Sequence, residues 1–300
     1  MTQLALPDAD LAWVEGPPDH RFRRRARGAL RAVATPSVAI PGAVFLLIVL
    51  ACFAGPAALG IPGPDTGSIT NTMLPVGSPG HLLGTNQLGN DELSRLLFGG
   101  RVSVIVGVGA TAISLLAGCL LGMSACYLGG FYEKVIMRLF DTLLAFPSLI
   151  LALAIADYLG PALRNTILAI SVFGVSQFGR LAWSQTLRVR DRDFVVAPRA
   201  DGAKGRRIIF GHILPNVIPP LLGLALFNVG TAMMMEAGLS YLGLGIAQPN
   251  PSWGNMISDG QQYLYNAPRL VIMPCIALVV ALVSLNLMAD AIARRQGNRT

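Results

Sequence analysis

Charged residues are scarce in this sequence. Of its 300 residues, 23 are lysine or arginine and 16 are aspartate or glutamate, so that 13% are charged and 53% are hydrophobic. The mean hydropathy is +0.57. A soluble domain of this length needs more polar side chains to cover its surface, and the composition therefore places the chain in a membrane.

The sequence also lacks the patterns of common catalytic chemistry. It contains no GxxxxGK[ST] phosphate loop, no HExxH zinc motif and no GxSxG nucleophile motif. Its three histidines, His20, His81 and His212, lie far apart along the chain. We therefore expect no catalytic residues, no metal site and no bound cofactor.

Cysteine is rare as well, and no pair has CxxC spacing. All four cysteines fall in apolar stretches without a histidine nearby, which predicts packing residues and not metal ligands: Cys52, Cys119, Cys126 and Cys275.

Long uncharged stretches are what the sequence does have. A hydrocarbon core of about 30 Å needs roughly 20 apolar residues for one helical crossing. Six segments reach or approach this length, which predicts an all-α polytopic membrane protein with six spans. They are 37–59, the stretch between Arg101 and Glu133, 142–156, the stretch between Arg164 and Arg188, 212–235 and 270–289.

The third segment is the shortest. Only residues 142–156, between Asp141 and Asp157, are free of charge, which by length also fits a re-entrant loop. We favour a full span because each terminal aspartate can reach the interface. An odd number of crossings would also break the charge pattern described next.

Most of the 23 basic residues fall on one side of this six-span arrangement. The positive-inside rule then places both termini and the basic loops in the cytoplasm, where their charge meets anionic lipid headgroups; no nucleic-acid partner is required. The expected regions are a basic, disordered tail (1–36), a first span with an extracytoplasmic loop (37–100), a core (101–293) with a cytoplasmic loop at 187–212, and a cytoplasmic tail (294–300).

The cytoplasmic loop contains DGAKGRRIIFGHILPN at 201–216. The sequence predicts a short helix broken by Pro198, a turn at Gly202 that allows another backbone to approach closely, and a helix that re-enters the membrane near Pro215. The loop therefore forms a protruding knob.

Residues 193–216 resemble the cytoplasmic signature of binding-protein-dependent ABC importer permeases. The resemblance implies the type I importer permease fold and a coupling helix that seats in a cleft of an ATPase subunit. It assigns the ATPase contact to Ala197, Arg199, Ala200, Asp201, Gly202 and Ala203. Three positions depart from the family pattern: Val196 replaces a glutamate, Pro198 an alanine and Asp201 a leucine.

Two further stretches, 81–107 and 236–258, are similar to the second permease subunit of dipeptide, oligopeptide and nickel importers. Asn90 departs from that pattern, which favours arginine. From the residues themselves, NDELSRLLFGG predicts a short amphipathic helix stopped by Gly99 and Gly100, and 238–255 predicts a loop that folds back onto the bundle. Alternatively, both stretches are only rigid connectors that close the outer face. Both stretches are expected outside the cytoplasm.

The resemblance implies half of a translocation pathway for small peptides or a related solute in a bacterial cell membrane. Its expected partners are a homologous second permease, cytoplasmic ATPase subunits that hydrolyse the ATP, and an extracytoplasmic solute-binding protein. A stand-alone carrier or channel is the alternative. Within the spans, Arg180 is expected to reach the cytoplasmic interface, with a pathway role left open, and Pro147 to kink the third span.

Overall fold

The structure, a computed structural model, describes residues 35–297, so the predicted tail at 1–36 lies almost wholly outside it. The described chain consists of helices, turns and two isolated β-bridges. In chain order the helices are α1 (Pro36–Ala58), α2 (Glu92–Leu128), α3 (Gly130–Ala145), α4 (Ser148–Leu159), α5 (Leu163–Val189), α6 (Asp193–Ala200), α7 (Gly205–Ile208), α8 (Leu214–Tyr241), α9 (Trp253–Gly260) and α10 (Arg269–Gly297).

Five of these stretches are long and apolar enough to cross a membrane: α1, α2, α5, the continuous α7–α8 helix, and α10. Helices α3 and α4 qualify only as a pair, with a bend of 96° between them. The all-helical membrane fold predicted from the sequence is confirmed. Three cysteines are buried and Cys275 is half-buried, as expected of packing residues.

Helix α2 does not stop where the sequence suggested. The Asp91 side chain caps its start by accepting a hydrogen bond from the Ser94 amide at 2.8 Å, and the helix then continues without a break through Gly99 and Gly100. A Cβ on Gly100 would lie 2.6 Å from the Trp253 ring. The predicted short helix was wrong because these glycines provide room for α9 and do not end the helix.

Helices α2 and α5 run in the same direction. Near their middles the Ser114 hydroxyl donates to the Ser171 carbonyl at 3.0 Å. Near the C-terminal ends of both helices, the Arg190 guanidinium donates to the Cys126 carbonyl at 3.3 Å. Because positions advance together along both helices, the two are parallel.

Glycines bring the two backbones together. A Cβ on Gly118 would lie 2.5 Å from the Val175 carbonyl oxygen, and one on Gly122 would collide with the Gly179 carbonyl. Small residues at four-residue spacing are the usual means by which membrane helices approach closely. Gly118 and Gly122 therefore allow α2 and α5 to pack backbone against backbone.

Two parallel helices require a return crossing between them. Helices α3 and α4 supply it, so this bent pair is one broken span and not a re-entrant loop. The break lies at Phe146 and Pro147, since the residue before a proline is forced out of the helical region; Phe146 has φ −86° and ψ 140°. The predicted kink at Pro147 is present, but the predicted span at 142–156 is two helices.

The fifth span begins earlier than predicted. The chain is already helical at Gly205, seven residues before His212, and passes through a π-helical turn at Ile209–Ile213. There the Leu214 amide donates to the Ile209 carbonyl, five residues back. Pro215 has no N–H to give to Gly211, and the wider turn carries the helix past this gap.

The remaining spans close the bundle. Helix α8 lies antiparallel to α2, and α10 lies beside both α8 and α1, with Gly42 of α1 against Met288 near the far end of α10. The described chain therefore begins and ends on the same side. We call this the knob side, because α6 lies there, and the opposite side, which carries residues 59–91 and α9, the loop side.

A buried carboxyl group joins three helices on the loop side. Glu236 of α8 is fully buried and accepts hydrogen bonds from Ser103 of α2 at 2.8 Å and from Ser240 at 2.7 Å. The hydroxyl of Ser252, which caps α9, is also within hydrogen-bonding reach. The Ser103 hydroxyl oxygen in turn accepts a hydrogen bond from the Trp253 backbone amide at 3.3 Å.

Replacing Glu236 with leucine should destabilise the protein. The substitution leaves buried hydroxyls without an acceptor, at a cost of about 1–3 kcal/mol, or several degrees in Tm. Glu236→Gln keeps one acceptor and should lose less. The measurement is thermal unfolding of the purified protein in detergent, with Met234→Leu, an exposed position in the same helix, as the control. A Glu236→Leu protein as stable as this control would contradict the assigned role.

Candidate functional site

The knob consists of α6, the turn at 201–204 and α7, and three buried apolar side chains anchor it, one of them in the π-helical turn that follows α7. Val195, Ile208 and Ile213 are each no more than 1% exposed, and they pack with residues of α2, α5 and α8. The rest of the knob projects beyond the helix ends. It is therefore a rigid projection of the bundle and not a loose tether.

Helix α6 ends in a Schellman motif. The Ala203 amide donates to the Pro198 carbonyl at 3.0 Å, and the Gly202 amide donates to the Arg199 carbonyl at 3.2 Å. Gly202 has φ +78°, the left-handed conformation that this motif requires and that glycine adopts without strain. The sequence predicted a tight turn here, and this is its geometry.

The six residues assigned to the ATPase contact divide into two groups. Ala203 is half-buried and packs on the apolar anchor, so it holds the turn in place. The predicted close approach at Gly202 does not occur within the chain, where no atom lies within 4 Å of the Cβ position. The other exposed members are Ala197, Arg199, Ala200 and Asp201.

Pro198 does not break α6, contrary to the sequence prediction. The helix continues through it to Ala200. Its missing N–H removes only the bond to the Phe194 carbonyl, and its own carbonyl receives the Ala203 amide. Val196, which replaces a glutamate of the family pattern, is 47% exposed.

Sequence reasoning missed the contact between the knob and the end of α2. The Arg199 guanidinium lies 5.7 Å from the centre of the Tyr127 ring, within cation–π range. A Cβ on Gly205 would lie 2.9 Å from the same ring. Tyr127 therefore contacts both sides of the turn. In the sequence, the signal for this contact was the position of Tyr127 as the last aromatic residue before Gly129.

A basic surface surrounds the turn. A groove between α6 and α7 is lined by Asp201, Lys204, Arg207 and His212 together with Pro198. Lys204 and Arg207 also border a shallower depression next to it. This surface can contact acidic groups of a protein partner or lipid headgroups.

A second polar feature lies between α3 and α5. The Arg180 guanidinium forms an ion pair with Asp141, and the two side chains are 49% and 45% exposed. One turn further along α5, the Trp183 indole donates to Glu133 at 2.5 Å. The Arg180 side chain therefore contacts a second span, α3. Its reach to the cytoplasmic interface stays a prediction.

On the loop side, two arginines act as structural ties. Arg95 is 4% exposed and lies 3.2 Å from Asp65 and 3.5 Å from Asp259. The Arg269 guanidinium donates to the Leu74 carbonyl at 2.7 Å. The loop at 59–91 and α9 are thereby fixed to the ends of the spans.

Asn90, the departure from the family pattern in this region, takes part in the same loop structure. Its side-chain oxygen accepts a hydrogen bond from the Gly67 backbone amide at 2.8 Å, and its backbone amide donates to the Asn86 side-chain oxygen at 2.9 Å.

Across the described residues no three histidine, cysteine, aspartate or glutamate side chains come together as metal ligands.

Comparison with known proteins identifies relatives of this chain. Residues 114–300 match the family described as binding-protein-dependent transport system inner membrane component. The chain is 40% identical to the dipeptide transport system permease protein DppC of Alkalihalophilus pseudofirmus, over 71% of this chain and 70% of the relative. It is 36% identical to the di/tripeptide transport system permease protein DppC of Pseudomonas aeruginosa, over 85% and 86%.

Among solved structures, the chain is similar to the inward-facing MetNI methionine ABC transporter, with a TM-score of 0.49 and 19% identity over 64% of this chain and 94% of that one.

The Schellman motif can be tested at Gly202. Alanine in a left-handed conformation costs about 1–2 kcal/mol, so Gly202→Ala should loosen the end of α6 and speed amide exchange at 199–203 by roughly 5- to 30-fold. Hydrogen exchange with mass spectrometry on the protein in nanodiscs measures this. Gly211→Ala is the matched control, because Gly211 is exposed, has no positive φ and has open space around it. Equal exchange in both variants would exclude the motif as a determinant of knob rigidity.

Proposed function

Since the chain belongs to the binding-protein-dependent transport system inner membrane component family, we propose that it is one permease subunit of an ATP-driven importer of small peptides in a bacterial cell membrane. The observation that carries the proposal is the knob: a short capped helix, held by a buried apolar anchor, that presents small and apolar side chains to a partner.

The distribution of charge supports a cytoplasmic knob. By the positive-inside rule, the side with more lysine and arginine faces the cytoplasm. Basic residues on the loop side are few, and Arg95 and Arg269 are held there by internal acceptors. Basic residues on the knob side include Lys134, Arg138, Arg188, Arg190, Arg192, Arg199, Lys204, Arg206, Arg207 and Arg294.

The exposed surface of α6 suits an apolar cleft in an ATPase subunit. Phe194 and Val196 are 43% and 47% exposed, and Ala197 and Ala200 keep the surface between them flat. Val196 replaces a glutamate of the family pattern, so this contact relies more on apolar burial and less on a polar bond. The basic groove beside the turn adds charge at the rim of the contact.

The anchor of the knob provides a route for motion. A force on α6 acts through Val195 on the ends of α2 and α5, and through Ile208 and Ile213 on the start of α8. These side chains are fully packed. The knob and the helix ends therefore move together, and the force is not lost in deformation of the loop. Closure of two ATPase subunits would in this way change the angle of the spans that surround the pathway.

The solute assignment rests on the relatives. Their names refer to dipeptide, di/tripeptide and glutathione transport, which have small peptides in common. A homologous second permease would complete the pathway. A solute-binding protein would dock on the loop side, where Ile69, Leu82 and Tyr265 are 86%, 65% and 99% exposed.

Sidedness and contact can be tested with single cysteines in a background without the native ones. In whole cells, an impermeant maleimide should label Leu82→Cys and not Lys204→Cys, and the reverse should hold in inside-out vesicles. Ala200→Cys should cross-link to the ATPase subunit, whereas Phe131→Cys, exposed but on α3, should not. Labelling of Lys204→Cys from outside the cell would overturn the cytoplasmic assignment.

Reconstitution separates the importer from a stand-alone carrier. The complete complex in liposomes should take up labelled Ala-Ala only with ATP and the binding protein present. The chain alone should neither hydrolyse ATP nor take up the peptide under a proton or sodium gradient. Gradient-driven uptake by the isolated chain would favour the carrier and contradict the proposal.

A further inference from the structure

The ion pair between Arg180 and Asp141 has no role in the proposed coupling of the knob. Both side chains are about half exposed, although they join two membrane-spanning segments. Charged side chains within the membrane are rare and usually have a function, because they must face another protein surface or water.

The depth of the pair makes exposure to lipid unfavourable. Helix α5 has 27 residues and is therefore about 40 Å long at 1.5 Å per residue. Arg180 lies nine residues before its end, about 14 Å in, and a hydrocarbon core of about 30 Å leaves only some 5 Å of such a helix outside on each side. A charge at the bilayer centre costs about 2.5–3.5 kcal/mol, and Arg180 lies about 9 Å inside the hydrocarbon edge, so the exposed half of this pair favours contact with water over contact with lipid.

The exposed residues of helix α3 form two stripes, one apolar and one polar. One exposed stripe is apolar and suits lipid: Phe131, Val135 and Leu139 are 82%, 46% and 49% exposed at four-residue spacing. A second exposed stripe is polar and ends at the ion pair. It consists of Lys134, Arg138 and Asp141.

These two stripes point in different directions. At 100° per residue the centres of the two stripes lie about 90° apart; Asp141 is about 160° from Leu139, while Arg138 lies on the shared edge, about 20° from Phe131. The polar stripe runs from the knob side into the membrane, ending five residues before the break at Phe146. Exposed charge that continues from the knob side to the ion pair is the arrangement expected of a wall that faces water.

The ion pair is also not needed to hold α3 in place. The Phe140 ring packs on Gly179, where a Cβ would collide with it, and Glu133 accepts the Trp183 indole. Half-exposed ion pairs contribute little to stability, typically below about 1 kcal/mol.

We propose that Arg180 and Asp141 line the translocation pathway and act as a paired binding site for the charged groups of the passing peptide. The guanidinium can receive a carboxylate and the carboxylate an ammonium group, so a zwitterionic peptide exchanges partners with the pair and keeps its charges satisfied. This inference rests on the proposed function, since it names a contact for that function's solute.

The first test is access of water to the polar stripe. In the complete complex, with Cys52, Cys119, Cys126 and Cys275 replaced by alanine, single cysteines are introduced as Asp141→Cys, Arg138→Cys and Leu139→Cys. A charged methanethiosulfonate reagent reacts in water and does not enter lipid. Asp141→Cys and Arg138→Cys should react at least 10-fold faster than Leu139→Cys, the matched control on the apolar stripe.

The second test is a change in charge preference. Uptake of Ala-Asp and Ala-Lys is measured in the same proteoliposomes with the same binding protein, whose own preference cancels when variants are compared. Arg180→Gln should lower the ratio of Ala-Asp to Ala-Lys uptake several-fold, and Asp141→Asn should raise it. The double variant, which carries neither charge, should return the ratio towards that of the unmodified complex even if a single variant assembles poorly.

The outcomes separate the two proposals. If the unmodified complex takes up none of these peptides, the peptide importer is wrong and this inference falls with it. If the unmodified complex takes them up, but Asp141→Cys is as unreactive as Leu139→Cys or both single variants lower uptake of the two peptides equally, the pair is structural. The inference is then overturned while the importer stands.

Discussion

Close packing of α2 against α5 is the constraint on which the rest of this structure depends. Glycines at the interface leave no side chain between the backbones, so the two helices lie parallel and in contact over most of their length. Parallel neighbours need a crossing between them, which gives the broken α3–α4 span its place. They also bring the ends of both helices together, and the knob is built on those ends through Tyr127 and Val195.

Polar groups at membrane depth explain much of what surrounds this pair. Hydrocarbon offers no hydrogen-bond partners, so each buried donor must find an acceptor within the protein. At the loop-side ends of the spans, Arg95 and Arg269 hold the loop at 59–91 through Asp65 and the Leu74 carbonyl, whereas the Arg269 Nε has no acceptor among the described residues. At the middle of the bundle, the Asn228 amide donates to Gln177 at 3.0 Å and links α8 to α5.

The sequence was sufficient for features that depend on composition and local pattern. Charge-free stretches located the spans, and the signature around Gly202 located an exposed, capped turn whose φ of +78° only glycine adopts easily. Features that depend on a distant neighbour were not predictable. Gly99 and Gly100 look like a helix end until the Trp253 ring is placed against them, and nothing near Arg180 in the chain identifies Asp141, 39 residues earlier, as its partner.

The buried Glu236 carboxyl group limits how the helices can move relative to one another. One carboxyl group holds the loop-side ends of α2 and α8 and the cap of α9 through buried hydroxyls. Separating these three elements would strand polar groups in a dry interior, so they move as a single block. Relative movement of the helices is easier elsewhere, and the bend at Phe146 and the π-helical turn at Ile209–Ile213 are places where the backbone already departs from a straight helix.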